Sequence, residues 1–188
     1  MRLFVAIVPP PAATAGLDAL TAPLRPAWPD LRWTSQEAWH VTLAFLGEVR
    51  DEVLPELTER LERAARRHRA QSLAISGGGA FPSPSRARVV WAGLDGDRPA
   101  LAALAASVAA GARRAGAPSP DEGRRFRAHI TLARLRAPAD VRPLTDGLAG
   151  LAGAPWTATE IQLIHSRLPG PGAGRTPDYI SLGVWPLA

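Results

Sequence analysis

The chain contains 188 residues, and its 22 arginines, in the absence of any lysine, outnumber 17 acidic residues to give a formal net charge of +5. This length fits a single domain with a full hydrophobic core, and the 46% hydrophobic and 21% charged fractions exclude a disordered chain. The lack of cysteine excludes disulfides and thiol chemistry, and the apolar runs are too short for a membrane span or a secretory signal, so we expect a soluble cytoplasmic protein.

The chain is patterned as alternating β-strands and α-helices. Short apolar runs predict strands, leucines that recur every three or four residues predict helices, and proline or glycine clusters mark the connections. The predicted elements are, in chain order, a strand at Leu3–Val8, a helix carrying Leu17, Leu20 and Leu24, a strand beginning at His40, a helix from Asp51 to His68, a strand at Ser72–Ser76, a strand at Ala87–Leu94, a helix from Asp97 to Gly116, a strand beginning at His129, a helix from Asp140 to near Gly150, a strand at Trp156–His165 and a strand at Tyr179–Trp185.

Local signals mark two helix starts and one irregularity. Asp51 is placed to cap the helix that follows it, and Asp140 opens the shorter pattern of the last predicted helix. The glycines at 77–79 suggest a phosphate-binding loop by composition, but no Lys-Ser/Thr pair opening a helix follows, which favours a turn or a bulge. In the helix after Asp51, arginines follow glutamates at i,i+4 spacing, as with Glu59 and Arg63. This spacing favours a solvent-exposed helix face over a nucleic-acid site.

An internal repeat divides the chain into two similar halves. The tetrapeptide His-Val-Thr-Leu at 40–43 recurs 89 residues later as His-Ile-Thr-Leu at 129–132, and Asp51 and Asp140 have the same separation. In each half, a strand and a helix precede the tetrapeptide and a helix and a strand follow it. We therefore predict a duplicated α+β lobe within a single domain, residues 1–188, with approximate sequence halves at 1–80 and 81–188.

The two tetrapeptides carry residue types suited to phosphate chemistry. Residues i and i+2 of a strand face the same side, so His40 projects beside Thr42, and His129 projects beside Thr131. Two imidazoles and two hydroxyls around a small anion suit acid–base cleavage of a phosphate ester, in which one neutral histidine accepts a proton and one protonated histidine donates it. The threonine hydroxyls and an arginine would hold the non-bridging oxygens as negative charge builds.

Two nearby residues lie at an odd offset from the histidines. Arg134 follows His129 by five residues, so a straight strand would direct it away from that histidine. A role for Arg134 in the site requires the strand to bulge, twist or end near Ala133, and otherwise Arg134 is a surface charge. Phe45 has the same offset from His40, and we expect it in the core.

The excess positive charge is concentrated around the second tetrapeptide. Residues 113–136 contain seven arginines and two acidic residues, whereas the rest of the chain has equal numbers of both. Arginine is suited to bidentate recognition of phosphate. We expect this segment to guide a phosphate-bearing group towards the site.

The sequence resembles the two-histidine phosphoesterase superfamily, and specifically the RNA 2′,3′-cyclic phosphodiesterases (LigT-like, formerly called 2′-5′ RNA ligases). The similar segments are the two tetrapeptides, the opening run at 2–7, the residues from Thr42 to Gly47, the stretch from Phe81 to Trp91, and 126–128 with the following Arg134. The resemblance covers nearly the whole chain. It implies a bilobal α+β fold with antiparallel sheets, in which pseudo-twofold lobes flank a central groove lined by both His-x-Thr pairs.

The resemblance also implies an activity. The expected enzyme is a phosphodiester hydrolase that opens a 2′,3′-cyclic phosphate to a 2′-phosphate without a metal or cofactor. The same transesterification, with a 5′-hydroxyl in place of water, would give reversible 2′-5′ RNA ligation. The expected partners are RNA ends or nucleotides bearing the cyclic phosphate, with no membrane involved, and we expect a monomer.

Individual roles follow from the same resemblance. His129 is expected to be the proton acceptor that activates water, and His40 the proton donor to the departing 3′-oxygen. Reversing these two roles would give the 3′-phosphate. Arg134 is expected to contact phosphate. Tyr179 and Arg175, near a loop rich in glycine and proline, are candidate base or sugar contacts.

Three alternatives stay open at this level. An RNA-binding module without chemistry would show affinity that falls steeply with salt and survives loss of either histidine. The modest net charge and the absence of an aromatic and basic platform disfavour it. A metal hydrolase is disfavoured by four histidines, no cysteine and no His-x-x-x-His motif. A two-histidine enzyme acting on another small cyclic phosphate also fits the pattern.

Overall fold

The computed structural model describes residues 1–167 and 177–188. The strands within these residues are β1 (Arg2–Ile7), β2 (Arg32–Trp33), β3 (Val41–Glu48), β4 (Gln71–Phe81), β5 (Ala87–Gly96), β6 (His129–Ala139), β7 (Trp156–Ala158), β8 (Glu160–Arg167) and β9 (Asp178–Pro186). The α-helices are α1 (Pro11–Thr21), α2 (Leu54–Ala65), α3 (Arg98–Arg114) and α4 (Arg142–Leu148). Arg175 lies outside the described residues, as does most of the predicted loop at Pro169–Pro177.

The described strands form one antiparallel sheet, which confirms the α+β prediction. Their order is β7-β4-β5-β6-β3-β1-β8-β9, and β2 pairs with β6. The two strands that carry the tetrapeptides, β3 and β6, lie at the centre and pair at Val41 and Ile130. Each flank combines strands from both halves of the chain, because β4 pairs with β5 and β8 pairs with β1. The boundary suggested near residue 80 therefore lies inside β4.

The sheet curls until its two ends approach each other. Thr159 alone separates β7 from β8, yet β7 pairs with β4 at one end of the sheet and β8 pairs with β1 near the other. The C-terminal residues link these ends: the Ala188 N–H donates to His68 O at 2.8 Å, and the Leu187 N–H donates to Thr159 O at 2.8 Å. The single strand predicted at Trp156–His165 is wrong, because the chain passes from one end of the sheet to the other at Thr159.

Alternation along the strands separates a covered face from an open one. In β1, Leu3, Val5 and Ile7 are buried in the main core, together with the apolar residues of the helices. Phe4 and Ala6 point the other way and belong to a small separate cluster. Because α2 packs against α3, α3 against β3 and α4 against β4, the helices cover the first face. Among the described residues, no helix is long and apolar enough to cross a membrane.

Two predicted helix boundaries are wrong, and a third helix begins within two residues of its predicted start. The α-helix α1 ends at Thr21 and continues as a 3-10 helix that contains Pro26, so Leu24 lies outside it. Asp51 makes no capping hydrogen bond, since a 3-10 turn at Asp51–Val53 precedes α2. The helix predicted from Asp140 begins at Arg142 as α4, and the Asp140 carboxylate accepts the backbone N–H of Arg142 at 3.0 Å.

The charged face of α2 is exposed to solvent, as predicted. Glu59 and Arg63 form an ion pair at 2.6 Å, and their side chains are 62% and 55% exposed. Glu62 and Arg66 repeat the arrangement three residues further along, also at 2.6 Å. Each pair contributes only a few tenths of a kcal/mol, roughly 0.3–0.5, so these arginines belong to a solvated helix face.

The glycines at 77–79 form a bulge in β4, which confirms the sequence prediction. The register with β5 shifts between Ile75 and Gly78, and Gly77 adopts a positive φ of 62°. Only glycine adopts this backbone conformation without steric cost. The strand predicted at Ser72–Ser76 consequently extends through the bulge to Phe81.

Candidate active site

Both His-x-Thr pairs lie on the open face at the centre of the sheet. Val41 and Ile130, which pair across β3 and β6, are fully buried in the main core. The residues on either side of them therefore face the opposite way. Extending the antiparallel register by one residue sets each histidine across from the threonine of the other pair. The four residues are His40, Thr42, His129 and Thr131.

A β-bulge in β6 brings Arg134 to the face that carries His129. The register against β5 shifts between Thr131 and Ala133, which leaves Leu132 as an extra residue. Leu132 and Ala133 are both fully buried, so alternation resumes one position late and Arg134 projects towards the site face. The bulge near Ala133 that a site role for Arg134 requires is present.

The same irregularity occurs at the equivalent position of β3. The register against β1 shifts between Thr42 and Ala44, which leaves Leu43 as the extra residue. Phe45 consequently points to the site face, where its side chain is 41% exposed and its ring centroid lies 6.2 Å from that of Phe4. The prediction that Phe45 lies in the core is wrong, because it assumed unbroken alternation.

Both histidine rings are anchored in the same way. His40 Nδ1 lies 2.8 Å from Ala38 O, and His129 Nδ1 lies 2.7 Å from Arg127 O. A carbonyl oxygen can only accept, so each Nδ1 carries the hydrogen and donates it. In the neutral ring this arrangement leaves Nε2 as the acceptor, and in the protonated ring it makes Nε2 the second donor. Each histidine can therefore accept or donate one proton at Nε2.

The surroundings favour the neutral form of both imidazoles. Burial lowers the pKa of His40 to about 4, and the positive charges of Arg134 and His129 act in the same direction. Burial also lowers the pKa of His129, and Arg134 again adds to this effect. An anion bound beside Arg134 would offset its charge and would therefore raise both pKa values towards the range in which a histidine can serve as an acid.

Aromatic rings surround His40 on its flank of the sheet. Its ring centroid lies 4.7 Å from that of Phe4 and 5.3 Å from that of Tyr179, which meets the imidazole edge-on. The pKa of Tyr179 is raised, chiefly because its hydroxyl is partly buried. Tyr179, predicted as a base or sugar contact, thus lies in the site against His40.

A different set of rings surrounds His129. The centroid of Phe81 lies 5.0 Å away in an edge-on arrangement, and that of Trp91 lies 6.4 Å away. The guanidinium of Arg127 lies 5.6 Å from the Phe81 ring centroid. Phe4, Phe81 and Trp91 were not predicted as site residues. Their signal in the sequence is the alternation of β1, β4 and β5, which becomes readable only when the pairing of these strands is known.

The positive charge of Arg134 acts on three titratable groups of the site. Its side chain is exposed, and its charge lowers the pKa of His40, His129 and Tyr179. The fold thus brings the two imidazoles, the two threonine hydroxyls and the guanidinium of Arg134 to one face. Across residues 1–167 and 177–188, no group of three histidine, aspartate or glutamate side chains is placed to hold a metal ion.

Two segments of the chain match the family model described as LigT-like phosphoesterase. The matched residues are 7–91 and 94–173, and each segment contains one His-x-Thr pair. The match thus covers most of the chain and follows the internal repeat.

Proteins of known name are similar to this chain in sequence. One is a protein of Aeropyrum pernix named RNA 2′,3′-cyclic phosphodiesterase, 32% identical over 135 residues that cover 72% of this chain and 74% of the relative. A Thermus thermophilus protein of the same name is 30% identical over 174 residues, covering 89% of this chain and 83% of the relative.

Solved structures show the same fold. The crystal structure of TT0787 of Thermus thermophilus has a TM-score of 0.83 at 28% identity and covers 100% of this chain and 98% of that one. The crystal structure of Escherichia coli LigT complexed with 3′-AMP has a TM-score of 0.79 at 28% identity, covering 99% and 97%. With its two matched segments and its paired histidines, the chain belongs to the LigT-like phosphoesterase family, whose members are hydrolases acting on phosphodiester bonds.

Proposed function

We propose that this protein hydrolyses 2′,3′-cyclic phosphates, at RNA ends or in nucleotides, to 2′-phosphates by acid–base catalysis between His40 and His129 without a metal ion. The observation that carries the proposal is the matched anchoring of the two rings: each Nδ1 donates to the carbonyl two residues earlier, which leaves each Nε2 for proton transfer. The names of the relatives, RNA 2′,3′-cyclic phosphodiesterase, support the substrate class.

The reaction is a single displacement at phosphorus. His129 Nε2 accepts a proton from water as its oxygen forms a bond to phosphorus, and the bond between phosphorus and the ribose 3′-oxygen breaks. His40 Nε2 donates a proton to that oxygen, which becomes the 3′-hydroxyl. His129 ends protonated and His40 neutral, and exchange with solvent restores the starting state. Each proton transfer contributes roughly 10²–10⁴-fold.

His40 must carry a proton before it can act as the acid. Its low pKa in the free protein means that it is neutral near pH 7. A bound phosphate diester is an anion, and it would stabilise the protonated ring directly and by offsetting Arg134. Substrate binding therefore recruits the proton that the reaction uses. The opposite assignment of acid and base would break the bond to the 2′-oxygen and give a 3′-phosphate.

The remaining polar groups hold the non-bridging oxygens. Thr42 and Thr131 carry hydroxyl donors on the same strand faces as the histidines. Arg134 adds a guanidinium on that face beyond the bulge of β6. Negative charge on these oxygens increases as the new bond forms, so donors fixed in advance stabilise the transition state more than the ground state.

The identity of the product, and the dependence of turnover on each histidine and on metal ions, test this mechanism. Purified protein is incubated with 2′,3′-cyclic AMP in EDTA, and the product is identified by phosphorus NMR. We expect turnover in the chelator, the 2′-phosphate as product, and a loss of turnover by orders of magnitude in both His40→Ala and His129→Ala. Retained turnover in either variant would contradict the two-histidine mechanism, and loss of turnover in EDTA that added Zn²⁺ restores would indicate a metal hydrolase.

Binding without chemistry is tested with the same variants. An RNA-binding module predicts RNA affinity that survives both histidine substitutions and no product at any salt concentration.

The proposed enzyme also performs the related ligation when a 5′-hydroxyl of a second RNA takes the place of water. Incubation of a 2′,3′-cyclic phosphate end with a 5′-hydroxyl RNA should then give a 2′-5′ linkage. Both histidines belong to one chain, so we propose a monomer, which sedimentation equilibrium can check.

A further inference from the structure

A second arginine lies directly across from Arg134. The short strand β2 pairs antiparallel with β6, with Arg32 opposite Arg134 and Trp33 opposite Ala133. Residues directly opposite each other in such a pair project from the same face of the sheet, with Cβ atoms about 4.5–5.5 Å apart. Arg32 therefore projects from the face that carries Arg134 and the two histidines.

The neighbour of Arg32 gives an independent check on this orientation. Trp33 packs against the main core, and its Nε1–H donates to Trp28 O at 3.3 Å. Ala133, its partner on β6, is fully buried. Because successive residues of a strand face opposite sides, Arg32 faces away from the core, and its side chain is exposed.

The register places two arginines side by side on this face. The planar guanidinium suits bidentate recognition of phosphate, and two neighbouring positive charges strengthen the attraction for an anion. The pairing continues towards the site, because the Thr34 N–H donates to Leu132 O at 2.8 Å and the chain then reaches His40. Arg32 thus lies one strand away from Arg134 at the margin of the site.

The two sides of the site differ in chemistry in a way that orients a nucleotide. Near His40 the open face carries the rings of Phe4, Phe45 and Tyr179. Near the outer part of β6 it carries two guanidiniums, those of Arg32 and Arg134. The anionic groups of a nucleotide are drawn to the second side. The proposed function places the cyclic phosphate between the histidines, both of which feel the charge of Arg134.

We propose that Arg32 binds a second phosphate of the substrate, the one attached to the 5′-oxygen of the ribose that bears the cyclic phosphate. This inference rests on the proposed function, because it takes the position of the cyclic phosphate from it. A substrate without a 5′-phosphate leaves Arg32 without this contact. The protein should therefore prefer a cyclic phosphate end that carries a 5′-linked phosphate, whether a diester within an RNA strand or the monoester of a 5′-phosphorylated nucleotide.

Three substrates distinguish these sources. Adenosine 2′,3′-cyclic phosphate has no 5′-phosphate, its 5′-phosphorylated form has a monoester, and the dinucleotide ApA with a 2′,3′-cyclic end has a diester. We expect wild-type kcat/KM to be higher for the latter two. In Arg32→Gln, the ratio of kcat/KM for each phosphate-bearing substrate to that for adenosine 2′,3′-cyclic phosphate should fall by about tenfold, as expected for the loss of one charge-assisted hydrogen bond. Arg32→Lys should recover part of this ratio.

Neutralising the substrate gives a matched test. A dinucleotide with a methylphosphonate at the internal linkage lacks the negative charge, so wild type and Arg32→Gln should discriminate it from adenosine 2′,3′-cyclic phosphate equally. Arg69→Gln, an exposed arginine beyond the end of α2, has the same change in charge and should keep the wild-type ratios. Thermal melting of Arg32→Gln checks its fold, and a ratio measured within one variant is insensitive to the amount of active protein.

The outcomes separate this inference from the proposed function. If wild-type protein opens none of the three substrates, the proposed function is overturned. If it opens all three and Arg32→Gln keeps the wild-type ratios, only the assignment of Arg32 is overturned. A fall confined to the dinucleotide assigns the contact to an RNA diester, and a fall confined to the 5′-phosphorylated nucleotide assigns it to a terminal monoester.

Discussion

Phe45 and Arg134 occupy equivalent positions of the repeat, 89 residues apart and each directly after a β-bulge that turns it towards the site face. The duplicated backbone thus presents a phenyl ring on one side and a guanidinium on the other. The histidines themselves keep the symmetry, since each Nδ1 donates to the carbonyl two residues earlier. The near-symmetric pair of histidines therefore has unlike flanks, and this difference would let the proposed enzyme distinguish the two ends of a nucleotide.

Replacement of Arg134 should change the titration of both histidines. Its positive charge opposes protonation of His40 and His129, so Arg134→Gln removes an unfavourable interaction of the protonated ring and should raise both pKa values. The shift should bring them closer to the ordinary value of about 6.5. NMR titration of the imidazole resonances measures the effect directly, and the pH optimum of kcat/KM should move upwards with it.

The control for this titration is Arg69→Gln, which makes the same change in charge outside the site. It should leave the pKa values of His40 and His129 at their wild-type positions. Tyr179 gives a third readout, because Arg134 lowers its pKa and the Arg134→Gln variant should therefore raise it further. Histidine titrations that coincide in wild type and Arg134→Gln would show that Arg134 does not act on the site.

The threonines should contribute mainly to the rate of the chemical step. Thr42→Val and Thr131→Val keep the shape of the side chain but remove the hydroxyl donor. Because the hydroxyls are proposed to hold oxygens whose charge grows in the transition state, kcat should fall by about 10²-fold with a smaller change in KM. Steady-state kinetics on 2′,3′-cyclic AMP measure both constants. Thr157→Val, at an exposed position of the edge strand β7, should retain wild-type values.

The local elements of the fold were largely predictable, but their arrangement was not. Apolar periodicity and the 89-residue repeat predicted most strands and helices and the duplicated lobe. The pairing of β4 with β5 and of β8 with β1 mixes the two halves of the chain, and this choice depends on burial across the whole sheet. The break at Thr159 was missed although the alternation of apolar and polar residues slips by one position at Thr159 and Glu160, because no proline or glycine within residues 156–165 marks a change of direction.

The candidate site was likewise predictable from the sequence only in part. The shared faces of His40 with Thr42 and of His129 with Thr131 follow from two-residue periodicity alone. The direction of Phe45 does not, because it depends on a bulge at a Leu-Ala pair that carries no turn-forming residue. The direction of Arg134 was predictable only conditionally. Its odd offset from His129 meant that it could face the site only if the strand were irregular near Ala133, and the bulge is found there.

Gly79 should be intolerant of a larger side chain. A Cβ at this position would lie 2.5 Å from Cζ2 of Trp91, so the indole ring beside His129 would have to move. Gly79→Ala should therefore lower the free energy of unfolding by about 1–3 kcal/mol and reduce kcat. Urea unfolding measures the first effect. The double variant with Trp91→Phe, which has a smaller ring, should recover part of the stability.

Gly16 provides the matched control for that substitution. It lies inside α1, and a Cβ there would meet no atom within 4 Å. Gly16→Ala should raise the free energy of unfolding by about 0.5–1 kcal/mol, because alanine loses less backbone freedom in a helix than glycine. A Gly79→Ala variant as stable as wild type would show that Trp91 can move without cost.

The low pKa of His40 should also make stability depend on pH. In the unfolded chain a histidine titrates near 6.5, whereas in the folded protein burial lowers the pKa of His40 to about 4. Between these values the unfolded state binds more protons than the folded state, so this contribution to stability is present above about pH 6.5 and is lost as the pH falls towards 4. His40→Gln removes the titrating group and should lose less stability between pH 7.5 and pH 5.

Urea unfolding of wild type and His40→Gln at these two pH values measures the difference. Aspartate and glutamate side chains contribute to the pH dependence of both proteins, so the informative quantity is the change in one protein minus the change in the other. Arg69→Gln, which retains all four histidines, should follow wild type. If His40→Gln loses as much stability as wild type on acidification, then His40 titrates alike in the folded and unfolded states. The low pKa assigned to His40 in the free protein would then be incorrect, and substrate binding would not be needed to bring this ring into the range in which a histidine serves as an acid.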